Sequence, residues 1–151
     1  HEPHPATGVS GIDLYARHDD TWRWLGIGRP EIFPDNQAEL CADLPEGPRE
    51  YLLYLPLYNG VSSVALGVPE GSSLTPTPPR TTRPIAFYGT SITQGGCASR
   101  PGTCHPALLG RMLDCPVLNL GFSGNGKMER KSPNSSPSWT PPSTSLTACP
   151  I

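Results

Sequence analysis

The sequence has little hydrophobic length and little excess charge. Its longest apolar run, Tyr51–Tyr58, is far shorter than the roughly 20 residues that a membrane-spanning helix needs. The chain carries 11 lysine and arginine residues against 13 aspartate and glutamate residues, a formal net charge of -2, with no long basic stretch. We therefore expect neither a membrane span nor a nucleic-acid partner.

The cysteines lack the spacing of a metal site or of a small disulfide scaffold. Their number is odd, and the set consists of Cys41, Cys97, Cys104, Cys115 and Cys149. A structural zinc site needs ligands in closely spaced pairs, which neither these cysteines nor His105 supply. The sequence therefore predicts no metal and no cofactor.

The first half of the chain has the sequence pattern of several short strands. Apolar residues alternate with polar ones from Ile12 to Ala16, and two tryptophans follow the Asp19-Asp20 turn. Short strands at regular spacing indicate a β-sandwich, which we place at residues 10–70. Residues 1–9 are polar and proline-containing, and we predict them to be disordered.

Two further elements are predicted inside this region. Asn59-Gly60 is a strong hairpin dipeptide, so residues 50–58 and 61–68 are expected to pair with each other. Residues 38–44 form an additional candidate strand. Aromatic residues on these strands are expected mainly in the core and in cross-strand pairs, with sugar stacking as an open alternative; they are Trp22, Trp24, Tyr51, Tyr54 and Tyr58.

The pattern changes after a proline-rich linker at residues 71–84. Residues 85–129 read as strand, turn, helix and strand, with the helix at Pro106–Asp114. Proline suits the first turn of a helix, and four apolar side chains share one face of this one. This order of predicted elements indicates the start of an α/β domain.

A serine stands where the first strand of that domain ends. The apolar run from Pro84 leads into Gly89-Thr90-Ser91, and a second apolar run leads into a glycine-rich turn at Gly121–Gly126. A serine between a buried strand and a helix is held rigidly, and free N–H groups of the helix start can stabilise an oxyanion. Two such strand ends side by side form a site at the carboxyl edge of a parallel sheet.

These two segments resemble the SGNH (GDSL-type) hydrolases. Residues 89–93 resemble the nucleophile block of the family, with Thr90 in place of its aspartate, and residues 119–124 resemble the second block. The residues before Pro84 resemble the β-rich domain that one subgroup carries ahead of its catalytic domain. The resemblance implies an N-terminal β-sandwich followed by the start of a flavodoxin-like, three-layer α/β domain.

The resemblance also implies the chemistry. It points to hydrolysis of a small carboxylic ester, such as an acetylated sugar, with Ser91 as the nucleophile. The N–H groups of Ser91 and Gly124 are the expected oxyanion donors, and Asn119 is expected to support the turn or to lie beneath the site. The family's late Asp-x-x-His and oxyanion Asn have no counterpart in the chain, and His105 is a weak substitute for the base. We expect the chain alone to be inactive.

The last 22 residues do not fit an α/β domain. They contain six serines and five prolines, a composition that predicts disorder over residues 130–151. A reading frame displaced by one base can encode an amphipathic helix and a strand here. We therefore expect the chain to be truncated or out of frame after about residue 129.

Two other functions stay open. Residues 121–127 fit the pattern G-x-x-x-x-G-K of a phosphate-binding loop, but Met128 stands where a serine or threonine should bind Mg²⁺. The chain could instead be a non-catalytic β-module that contacts carbohydrate.

Overall fold

The computed structural model describes residues 5–32, 34–128 and 147–150. The chain divides into two compact units. One contains residues 1–60 and 80–127, and the other contains residues 61–79 and 128–151.

The N-terminal part of the first unit is a three-stranded antiparallel sheet. Strands β1 (Ile12–His18), β2 (Thr21–Gly28) and β3 (Tyr51–Tyr54) lie in the order β2-β1-β3. The predicted turn joins β1 to β2: Asp19 and Asp20 have φ angles of 46° and 58°, as a tight hairpin turn requires. A short helix, α1 (Ala6–Ser10), precedes β1. The central strand β1 therefore supplies most of the core.

The second half of this unit is the predicted α/β segment. Strand β5 (Ile85–Gly89) leads directly into the short helix α2 (Ser91–Gln94). A 3₁₀ turn (Pro101–Thr103) and helix α3 (His105–Met112) follow, and the chain returns in β6 (Val117–Gly121). Strands β5 and β6 are parallel, as a strand–helix–strand crossover requires. The mixed α/β character predicted for this segment is confirmed.

The second unit is small. Strand β4 (Ala65–Val68) pairs in parallel with β7 (Thr147–Pro150). The predicted hairpin around Asn59-Gly60 is absent from the described residues, because β3 pairs with β1 and β4 pairs with β7. Long-range pairing has overridden a strong local turn signal. Residues 38–44 form no strand either.

Other expectations meet the structure only in part. Strands β1, β2 and β3 form one antiparallel sheet with no second sheet packed on it among the described residues 10–60, so the predicted β-sandwich is not confirmed. Residues 6–9, which we expected to be disordered, belong to α1. Most of the predicted disordered tail lies outside the described residues, and its residues 147–150 form β7. The domain boundaries at residues 70 and 85 stay a prediction.

None of the helices in the described ranges is long and apolar enough to cross a membrane.

Candidate active site

Two loops emerge from the carboxyl ends of β5 and β6. The two strands are in register from Ile85 opposite Val117 to Gly89 opposite Gly121. The Phe122 amide extends this ladder by donating to the Gly89 carbonyl at 2.8 Å. The loop after Gly89 carries Ser91, and the loop after Gly121 carries Gly124. The structure thus brings the two predicted site segments to the same sheet edge.

Ser91 occupies the first position of α2. Thr90 is the N-cap residue of this helix, so Ser91 lies within the first turn and does not cap it. The Ser91 carbonyl accepts hydrogen bonds from the Gly95 and Gly96 amides, at 2.9 and 2.8 Å. Its half-buried side chain makes no hydrogen bond to any described residue. The hydroxyl therefore has no structural role that would compete with chemistry.

Gly124 occupies an exposed turn. The Asn125 amide donates to the Phe122 carbonyl at 2.9 Å and closes the turn, in which Gly124 has a φ of 78°. This left-handed conformation favours glycine. No atom lies within 4 Å of the position that a Cβ of Gly124 would take. The Gly124 amide donates no hydrogen bond within the described part of the chain, so it is available to a ligand.

Gln94 ties the two loops together. Its Oε1 accepts a hydrogen bond from the Ser123 amide at 2.8 Å, and its Nε2 donates to the Leu57 carbonyl at 3.0 Å. The last residue of α2 therefore fixes the start of the Gly124 turn. Sequence analysis did not identify this residue. The only available signal was its position, three residues after Ser91 and just before the helix-ending Gly95.

Asn119 braces the same junction from β6. Its Oδ1 accepts a hydrogen bond from the Gly121 amide at 3.0 Å, and its Nδ2 donates to the Gln94 carbonyl at 3.3 Å. These contacts agree with the prediction that Asn119 supports the turn. Its amide group is directed to backbone beside the site, which leaves Asn119 in a supporting position.

Two glycines allow backbone segments to approach each other closely around the site. A Cβ at Gly121 would collide with the backbone of Gln94, and one at Gly126 would collide with the Gly89 carbonyl. Gly126 also has a φ of 69°. Both positions require glycine because the backbones approach too closely for a side chain.

His105 lies at the start of α3. Its ring packs edge-on against Phe87, with 5.7 Å between the ring centroids, and it makes no hydrogen bond to Ser91. The structure therefore provides no contact through which His105 could act as the missing base. No cluster of three or more metal-binding side chains occurs within the ranges that the structure describes.

A second polar centre was missed in the sequence. Asp13 is completely buried in β1, yet it carries a carboxylate. It accepts hydrogen bonds from Trp24 Nε1 at 2.7 Å and from the Gly102 amide at 2.9 Å. Arg100 Nε lies 3.3 Å from the same carboxylate. The alternation of β1 gave no sign that this polar residue faces inward.

Comparisons with known proteins match both halves of the chain. Residues 1–74 match the N-terminus of SGNH-hydrolase-type esterases, and residues 82–133 match the GDSL-like lipase/acylhydrolase family. A crystal structure described as that of a GDSL-like lipase from Bacteroides ovatus is 34% identical, with a TM-score of 0.73 over 85% of this chain. The chain spans 38% of the length of that protein. A search of curated proteins found no match.

Proposed function

We propose that this chain, which belongs to the GDSL-like lipase/acylhydrolase family, carries the nucleophile half of a carboxylic-ester hydrolase site. Ser91 is the nucleophile in this proposal, and the N–H groups of Ser91 and Gly124 are the oxyanion donors. The observation that carries it is the position of Ser91, whose hydroxyl is unengaged at the first turn after β5, next to the Gly124 loop. Small acyl esters, including acetylated sugars, are the proposed substrates.

The chemistry divides into two parts. Attack by Ser91 Oγ on an ester carbonyl places negative charge on the carbonyl oxygen, and fixed N–H donors stabilise that charge. The serine proton must leave at the same time, which requires a base. The 151 residues contain no Asp-x-x-His, and His105 packs on Phe87 and makes no hydrogen bond to Ser91. The chain therefore provides the nucleophile and donors but leaves the base to be supplied.

The proposal predicts that an added base activates Ser91. A fluorophosphonate probe forms an O–P bond to a reactive serine as fluoride leaves, and imidazole in the buffer accepts the serine proton. We expect imidazole-dependent labelling that peptide mass spectrometry places at Ser91. Ser99→Ala should keep the label, because Ser99 follows α2 but does not lie at the sheet edge.

Three results bear against the proposal. Labelling that persists in Ser91→Ala, or that maps to another residue, would remove Ser91 as the nucleophile. A complete lack of labelling with imidazole present would do the same. Turnover of p-nitrophenyl acetate without added base, lost in Ser91→Ala, would show that the chain already contains a working base.

The phosphate-loop alternative is disfavoured by the amides of its loop. The Ser123 amide is bonded to Gln94, and the Asn125 amide is bonded to the Phe122 carbonyl. A phosphate cradle needs several such N–H groups free and converging on one point. Residues 121–128 contain a tight turn and no helix.

A carbohydrate-contacting role has one specific observation in its favour. Trp22 borders a surface pocket of about 260 Å³ between the β1–β2 turn and α3. An indole ring beside carboxylate, hydroxyl and guanidinium groups suits a pyranose; the lining consists of Asp20, Thr21, Trp22, Leu108, Arg111 and Met112. Quenching of tryptophan fluorescence by cellotriose that is lost in Trp22→Ala would support this second function. An unchanged spectrum would exclude this sugar as a ligand.

A further inference from the structure

Asp13 links the N-terminal sheet to the segment after the candidate nucleophile. Its fully buried carboxylate accepts hydrogen bonds from β2, through Trp24, and from the 3₁₀ turn, through Gly102. A buried carboxylate is tolerated only when it is paired and hydrogen-bonded. The hydrogen bonds that the Asp13 carboxylate requires therefore hold the sheet and the 3₁₀ turn together.

Arg100 closes the same centre. Its Nε lies 3.3 Å from Asp13 Oδ2, and its guanidinium lies 4.7 Å from the Trp24 ring centroid. The arginine is thus fixed by an ion pair and by a cation–π contact. The two residues that position it belong to β1 and β2, whereas Arg100 itself belongs to the loop that follows α2.

The contact leaves no free space at Gly102. A Cβ there would lie 2.6 Å from Asp13 Oδ2 and 2.5 Å from Tyr15 Cε2. The turn therefore rests directly on β1, and its position is set by the strand. A displacement of this turn must also move Cys104, which caps the start of α3.

A continuous series of contacts runs from this turn to the candidate site. Asn119 Nδ2 lies 3.8 Å from Cys104 Sγ and 3.3 Å from the Gln94 carbonyl. Gln94 in turn accepts the hydrogen bond of the Ser123 amide. A Cβ built on Gly95 would lie 2.8 Å from Cys104 Cβ, so the end of α2 also packs on the same cysteine.

We propose that Asp13 is a positioning residue for the candidate site: it sets the 3₁₀ turn, and through Cys104, Asn119 and Gln94 it sets the Ser91 and Gly124 loops. The effect on catalysis rests on the proposed function, whereas the contacts that link Asp13 to the two loops do not depend on it. It makes the N-terminal sheet a working part of the site and not an independent module.

The test compares two substitutions that remove the same charge. Asp13→Asn keeps the size of the side chain but replaces one acceptor oxygen with an NH₂ group, which faces N–H donors and cannot accept their hydrogen bonds. Asp35→Asn is the matched control, because Asp35 is exposed and makes no interaction with another described residue. Arg100→Gln is a milder second variant, since it removes the ion pair and leaves the hydrogen bonds of Asp13 in place.

Two readouts separate the inference from the proposed function. Amide hydrogen exchange by NMR follows Gly121 and Ser123 in the site, with Ile85 as the reference at the opposite end of the β5–β6 pair, where its amide donates to the Pro116 carbonyl. We expect exchange at Gly121 and Ser123 about tenfold or more faster in Asp13→Asn, as for the loss of a hydrogen bond to a charged group. Ile85 should be unchanged, and Ser91 labelling should slow in parallel.

The outcomes are distinct. Equal acceleration at Ile85 and Ser123 would make Asp13 a residue of global stability only and would overturn the inference. Faster exchange at Gly102 without any change at Ser123 would also overturn it. If Asp13→Asn does not fold, Arg100→Gln decides by the same comparison. Absence of Ser91 labelling in the unsubstituted chain would refute the proposed function, while the exchange data would still decide the role of Asp13.

Discussion

Gly89 lies directly opposite Gly121 at the carboxyl ends of β5 and β6, and a Cβ at either position would run into helix α2. A Cβ on Gly121 would enter the backbone of Gln94, and one on Gly89 would meet Thr93 Oγ1. Helix α2 therefore packs through its backbone on Gly121 and through the Thr93 side chain on Gly89. This close approach is what brings Gln94 within hydrogen-bonding distance of the next loop.

Substitution of Gly121 by alanine is expected to destabilise the protein by about 1–3 kcal/mol or more, the usual cost of overpacking. The colliding atoms belong to the backbone and cannot rotate away. Chemical denaturation of Gly121→Ala and of Gly60→Ala provides the comparison, because a Cβ at Gly60 would meet nothing within 4 Å. Equal stability of the two variants would show that α2 does not pack closely on β6 at Gly121.

Trp24→Phe is expected to cost about 1–3 kcal/mol, because Asp13 loses a hydrogen-bond donor while it stays buried. Trp22→Phe is the control on the same strand, since its indole N–H donates to none of the described residues. The free energy of unfolding in urea measures both. If Trp22→Phe lowered it as much as Trp24→Phe does, the Trp24–Asp13 hydrogen bond would not matter to stability.

Thiol alkylation should distinguish the cysteines. Cys97 is exposed, whereas Cys104 is buried and its pKa is raised by that burial. We expect Cys97 to react first and Cys104 to react at least about tenfold more slowly, through local opening. Peptide mapping after a timed exposure to iodoacetamide resolves each site, and rapid labelling of Cys104 would contradict its burial.

The ion pairs of Asp114 should contribute little, and only when its carboxylate is charged. A hydrogen bond from Arg80, at 2.8 Å, and another from Arg17 lower the Asp114 pKa. The stabilisation is therefore complete above the pKa of an unfolded aspartate and is lost as the pH falls through the lowered folded value. Because the side chain is 49% exposed, Asp114→Asn should cost less than about 1 kcal/mol at neutral pH.

Thermal unfolding at two pH values tests this prediction. The difference between the unsubstituted chain and Asp114→Asn should vanish below the lowered pKa, and it should shrink in high salt. Asparagine tolerates the positive φ of this position, 47°, so no backbone strain is added. A difference that grows in acid would have the wrong sign for this mechanism.

Local patterns predicted the elements of the candidate site. The apolar run before Gly89 and the proline at position 106 are properties of adjacent residues, and β5, α2 and α3 follow them closely. The predicted helix Pro106–Asp114 appears at His105–Met112. The sequence signal is strong here because a strand end and a helix start each depend on a few neighbours.

Contacts between distant residues were not predictable. Asp13 meets Gly102 across 89 positions, and Gln94 meets Ser123 across 29. No periodicity within β1 marks its aspartate as buried, because only a partner from another segment makes that burial tolerable. The Asn59-Gly60 hairpin failed for the same reason: a distant strand, β1, is the partner of β3.

The distance in sequence between Asp13 and Gly102 has a consequence for folding during synthesis on the ribosome. At elongation rates of about 5–20 residues per second, the partner emerges roughly 4–18 s after the carboxylate. During that interval the nascent β1–β2 hairpin exposes to water a charge that the finished protein encloses. The first 60 residues can therefore reach their final packing only after the loop that follows α2 has been translated.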